Sequence, residues 1–157
     1  MHSTISLAAR LSGDYPDLRF ISGDEFRWDP EQKTIFYEST GEPAFLLHEL
    51  SHALLDHDDY LKDVRLLEME RDAWEHAIFS LAARYEVRIT EDLAQDALDS
   101  YRDWLHARSR CPRCSATGIQ IKKYLYRCIV CRETWKVNDA RSCSLRRYPL
   151  PTKNTRY

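Results

Sequence analysis

An α+β fold is predicted for this 157-residue chain: a helical domain with a small antiparallel β-hairpin or sheet, followed by a small β module built around cysteines. Three features predict it. A nearly apolar stretch, residues 43–55, holds His48-Glu49-Leu50-Ser51-His52; three short β-type runs stand ahead of it; and two Cys-x-x-Cys pairs bracket a β-favouring segment near the other end. A hydrophobic share of 43% in a chain of this length suffices for one modest core plus an appendage.

Taken in order, Ile5 to Leu11 reads as a short amphipathic helix, which Gly13-Asp14-Tyr15-Pro16 breaks. The β-type runs are Leu18–Ile21, Glu25–Trp28 and Thr34–Tyr37, and Asp29-Pro30-Glu31-Gln32 is a turn that folds the last two into a hairpin. An edge strand beside the next helix is then able to pair with an extended peptide. Pro43 suits the first turn of that helix, and Ala44, Phe45, Leu46, Leu47, Leu50, Ala53, Leu54 and Leu55 make it a helix for burial. After an acidic turn over Asp56–Asp63, a long helical stretch runs from Leu61 to Tyr85. A further amphipathic helix runs from Thr90, its N-cap, to about Arg108, with Leu93, Ala97, Tyr101, Trp104 and Leu105 on one face.

The HExxH pattern carries the chemistry. On a helix the two histidines lie one turn apart, about 40° from alignment, so both imidazoles reach one ion, while Glu49, about 100° from His48, leans toward a water beside it. That pattern points to zinc held by His48 and His52 with Glu49 as general base. The following helix offers a third ligand. With Glu70 at zero on its wheel, Leu66, Leu67, Ala73, Trp74, Ala77 and Leu81 all fall within about 60°, so Glu70 sits mid-stripe on the apolar face. A carboxylate there is costly unless it is paired or binds a metal. Glu68 lies about 160° away.

Leu46-Leu47-His48-Glu49-Leu50-Ser51-His52-Ala53-Leu54-Leu55, with the strand hairpin before it and Glu70-x-x-Ala73-x-x-x-Ala77 after it, resembles the minimal gluzincin domain of ImmA/IrrE-type peptidases over about residues 3–85. The resemblance implies zinc on His48, His52 and Glu70, Glu49 as base, and a transcription-linked protein substrate. Trp74 and Ser51 stand where that family usually has a small polar residue and a glycine. Glu68 remains the alternative ligand, because Glu68 to Asp72 spells the ExxxD of one branch of the glutamate-ligand zincins, in which the aspartate orients a ligand histidine. The expected reaction is amide hydrolysis, in which Glu49 takes a proton from a zinc-activated water and passes it to the leaving amine. Tyr60, His76, Tyr85, Tyr101 and His106 are candidates for steadying the oxyanion, and the role is left unassigned.

His57 reads as a solvated turn residue, since a helix continued past His52 places it about 180° from His48 and the glycine of an HExxHxxGxxH site is absent. Asp56, Asp58, Asp59 and Asp63 read as a solvated acidic loop, without calcium-loop spacing.

Cys111-Pro112-Arg113-Cys114 and Cys128-Ile129-Val130-Cys131 stand thirteen residues apart, with Ile119, Ile121, Tyr124, Leu125 and Tyr126 between them. Four thiolates close a tetrahedral zinc site with no room for water, so this second zinc is structural. Cys143 reads as a free thiol. Charge divides the chain: residues 1–106 hold 10 basic and 23 acidic side chains, net −13, and residues 107–157 hold 13 and 2, net +11. The expected organisation is a zincin-like domain over 1–106, a zinc ribbon over 107–137 and a basic tail over 138–157. Lys122, Lys123, Arg127, Arg132 and Lys136 surround Tyr124, Tyr126 and Trp135, a mixture suited to phosphates and bases, and Arg141, Arg146, Arg147, Lys153 and Arg156 continue it as a flexible arm. An acidic protein surface, its own included, is the other candidate partner.

No apolar run spans a bilayer and the start lacks the look of a secretory signal, so the expectation is a cytoplasmic zinc peptidase with protein substrates associated with nucleic acid. Two rivals stand beside it. One is a SprT-like protease for proteins crosslinked to DNA, whose third ligand is a histidine followed by glycine, whereas His76 here precedes Ala77. The other is a non-catalytic nucleic-acid-binding regulator on a peptidase scaffold. Oligomeric state is not legible.

Overall fold

The computed structural model describes residues 3–141 and 143–151, so Lys153 and Arg156 of the expected arm lie outside the described residues. It is a mixed α+β chain in two compact units: Met1–Asp59 with Glu68–Asp96, and Tyr60–Leu67 with Ala97–Tyr157. The charge boundary expected after residue 106 and these packing boundaries follow different properties of the chain. None of the helices among the described residues is long and apolar enough to cross a membrane.

In the first unit α1 (Thr4–Asp14) starts on Ser3, whose hydroxyl accepts the Ser6 amide, and buries Leu7, Ala8 and Leu11. Strands β1 (Arg19–Gly23), β2 (Arg27–Asp29) and β3 (Thr34–Glu38) form a sheet in the order β1-β3-β2. The β2–β3 hairpin is antiparallel as expected, and Gln32 N donates to Asp29 Oδ1 at 3.0 Å within its turn. The sheet is nevertheless mixed. β3 inserts between the other two strands and so runs parallel to β1, which corrects the all-antiparallel expectation.

Helix α2 (Pro43–Leu54) has Pro43 in its first turn, where the missing N–H costs nothing. It buries Leu46, Leu47 and Leu50 against Leu7, Leu11 and Ile35. Helix α3 (Asp63–His76) follows, then widens into a π-helical turn over Ala77–Leu81, where Ala82 N donates to Ala77 O at 2.8 Å. Ala77, Leu81 and Tyr85 close this core.

Helix α4 (Glu91–Ser109) begins on Thr90, whose Oγ1 accepts the Leu93 amide at 3.3 Å. In the second unit β4 (Gly118–Lys122), β5 (Leu125–Cys128), β6 (Thr134–Val137) and β7 (Arg147–Pro149) make an antiparallel sheet in chain order. Its core is Tyr126, Trp135 and Val137 beside Cys111 and Cys128. β7 belongs to the segment expected as a free basic arm. It is a strand because Asn138 turns the chain back, its Oδ1 accepting the Arg146 amide at 2.8 Å, and Arg147 pairs with Val137.

Candidate metal centres

α2 presents His48 and His52 on one face, and Glu70 of α3 meets them, all three buried. His48 Nε2 lies 2.9 Å from Glu70 Oε2 and 3.1 Å from His52 Nε2, and His52 Nε2 lies 3.4 Å from Glu70 Oε1. Three donor atoms therefore converge on one point. A tetrahedral zinc with bonds near 2.0–2.1 Å separates its ligand atoms by about 3.3 Å, so these residues fit the ion. Burial alone raises the Glu70 carboxyl, but hydrogen bonds from His48 and His52 and their charge outweigh it and hold it well below the usual carboxylate range. Glu68 is exposed and outside the cluster. Glu70 is thus buried with the histidines on the face where the helical wheel puts it, and Glu68 is turned away.

Side chains around the cluster contact its members and their neighbours. Trp74 stacks on His48 with centroids 4.2 Å apart and planes at 22°, and meets the Phe45 ring edge-on at 5.6 Å. Ser51 donates to Leu47 O at 2.8 Å and bonds His76 Nδ1 at 3.0 Å, so His76 is committed outside the cluster. Glu49 Oε2 accepts the Trp28 amide at 2.7 Å, which ties the carboxylate of the residue that follows His48 in the chain to edge strand β2. Of the remaining oxyanion candidates, Tyr85 donates its hydroxyl to Asp14 at 2.8 Å, and Tyr60, Tyr101 and His106 belong to the second unit.

His57 is a correction. It is 7% exposed rather than solvated, and its Nδ1 lies 2.8 Å from His52 Nδ1. The helix ends at Leu54, and Asp56, at φ 53°, turns the chain so that His57 comes back beneath His52. Asp63, expected in a solvated acidic loop, is also buried. Its Oδ2 accepts from Arg108 Nε at 2.8 Å and from the Tyr126 hydroxyl at 2.5 Å.

The four cysteines of the second unit also converge. Cys111 and Cys131 Sγ are 3.6 Å apart and Cys114 and Cys128 Sγ 3.5 Å, against about 3.8 Å for the edge of a zinc–sulfur tetrahedron. The two knuckles are built alike. Cys111 N donates to Ala116 O and Cys128 N to Glu133 O, both at 2.8 Å, and the residue after each pair, Ser115 or Arg132, has φ 63°. Amides of Cys131 and then Val130 draw the Cys128 thiol down to about 6, which favours the thiolate a metal takes. Cys143 is exposed and outside this group.

Tyr126 and Trp135, expected as stacking faces, are core residues at 2% and 0% exposure, because alternation along β5 and β6 turns them inward. The opposite face shows Ile119, Arg127, Lys136 and Tyr148 to solvent. A scan of protein-family models finds no match to this chain, and searches of curated proteins and of solved structures find none either.

Proposed function

We propose that this chain is a zinc-dependent peptidase of gluzincin type, with His48, His52 and Glu70 holding the ion and Glu49 as general base. The observation that carries this is the convergence of three buried ligand atoms from His48, His52 and Glu70, with the carboxylate of Glu49, the residue after His48, tied to the Trp28 amide. Zinc, when bound, supplies Lewis acidity toward a carbonyl and toward water. The chain's own groups do the rest. Glu49, held by the Trp28 amide, accepts the proton of the attacking water on its carboxylate and delivers it to the leaving amine, for which a fixed orientation is worth more than reach. Zinc held by the four cysteines is structural.

A glutamate as third converging group, with His76 turned to Ser51, supports this reading over the SprT-like one. The open sheet face supports the further part of the proposal, that substrates are proteins associated with nucleic acid. Arg127 and Lys136 stand there between Ile119 and Tyr148, and Glu133 and Asp139 are the only acids in residues 107–157. The same face is what favours the second reading, a nucleic-acid-binding regulator without turnover.

Zinc per chain in wild type, His48→Ala, Glu70→Gln and Glu68→Gln tests the site: two zincs are expected to fall to one in the first two variants and to stay in Glu68→Gln. Glu49→Gln is expected to keep both zincs and to lose about 10²–10⁴ in peptide hydrolysis. Full hydrolysis by that variant refutes the mechanism, and no hydrolysis by wild type with salt-sensitive binding of single strands supports the regulator.

A further inference from the structure

We infer that His57 is a positioning residue for the zinc ligand His52, acting as the acceptor that fixes its tautomer; this rests on the reading of His48, His52 and Glu70 as a zinc site. A histidine that binds a metal through Nε2 carries its proton on Nδ1, and that N–H needs an acceptor when buried. His52 turns Nε2 to the cluster and Nδ1 to His57 Nδ1, 2.8 Å away. Two nitrogens at that distance share one proton. With the proton on His52, His57 accepts through Nδ1 and keeps its own proton on Nε2.

The chain around His57 is built to hold that ring. His57 N donates to His52 O at 3.0 Å, and His57 O accepts from the Trp28 indole at 3.0 Å. Trp28 is also the residue whose amide holds Glu49. The two ligand imidazoles differ in this: His48 stacks on Trp74 and its buried Nδ1 has no hydrogen-bond partner among the described residues, whereas His52 has the nitrogen–nitrogen hydrogen bond to His57. A carboxylate or carbonyl fills this role at most metal-bound histidines, and a neutral imidazole adds no charge to the site.

The test is zinc affinity, read by competition with a chelator on the full chain, with the four-cysteine zinc as internal reference. His57→Leu keeps the volume and removes the acceptor. His57→Asn places an amide oxygen near the position of Nδ1. The expected result is that the leucine variant binds the histidine-site zinc 10–100-fold more weakly while the asparagine variant recovers most of the loss, with both melting as wild type does when metal-free. Equal weakening in both variants, or none in His57→Leu, overturns the positioning role. A wild type that holds only the four-cysteine zinc overturns the zinc-site reading itself and this inference with it.

Discussion

Trp74 supplies the clearest case of one side chain with two duties. It fills the space between Phe45 and His48, and its ring plane sets that of His48. Its indole Nε1 is buried without a hydrogen-bond partner among the described residues, so the indole is held for its shape and face. Trp74→Phe retains a stacking face and removes the unsatisfied N–H but leaves a small void; it is expected to cost about 0.5–3 kcal/mol and to keep the proposed zinc. Trp74→Ala opens a cavity and frees the His48 ring, and is expected to cost about 3–5 kcal/mol in urea denaturation, with weaker zinc binding. The sequence placed Trp74 and Glu70 on one stripe. Which face of the indole meets His48 depends on the approach of two helices, which no wheel contains.

At the scale of elements, the sheet of the second unit depends on a close approach at Gly118. A Cβ there would come within 2.5 Å of the Trp135 ring and 2.7 Å of Arg127 O, across the β4–β5 pairing. Backbone on one side and a buried ring on the other leave no room to yield. Gly118→Ala is expected to destabilise the unit by about 1–3 kcal/mol, measured by denaturant unfolding with zinc supplied to both proteins. The two knuckles, alike in amide pairing and in the φ of the following residue, were legible as a pair of spaced cysteines. Their left-handed residues, Ser115 and Arg132, are not glycines, so nothing in the letters announced that turn.

For the whole molecule, Asp63 and Arg108 show why the chain is not cut cleanly at a charge boundary. They pair at 2.8 Å with 3% and 1% of their side chains exposed, and removing one partner leaves a buried charge unpaired. Nucleic-acid binding is therefore better tested by substitution of Arg127 and Lys136 on the open face than by removal of residues 107–157. Two buried tyrosines, Tyr85 and Tyr126, and the half-buried Tyr60 set the alkaline limit. Burial pushes Tyr60 up to about 12, and pushes Tyr85 and Tyr126 higher, the latter two aided by their bonds to Asp14 and Asp63. Unfolded tyrosine titrates near 10, so the folded chain holds these protons longer; their contribution is full below pH 10 and is lost as pH rises toward 12 and beyond. Tyrosinate absorbance from Tyr85 and Tyr126 is expected to appear together with loss of far-ultraviolet dichroism, and its appearance in a fully folded chain would contradict their burial.

Sequence by itself determined the helices, the β2–β3 hairpin, the histidine pair with Glu70 on the facing stripe, and the four-cysteine spacing, because each is written in a short period or a fixed interval. Tertiary structure alone decided the rest. β3 entered between β1 and β2, a left-handed Asp56 returned His57 to His52, and Asp63 left its acidic neighbours for Arg108. Tyr126 and Trp135 took the inner face of their sheet and left the outer one to Arg127 and Lys136. Each of these outcomes turns on a partner distant along the chain or on one backbone angle, and local periodicity records neither.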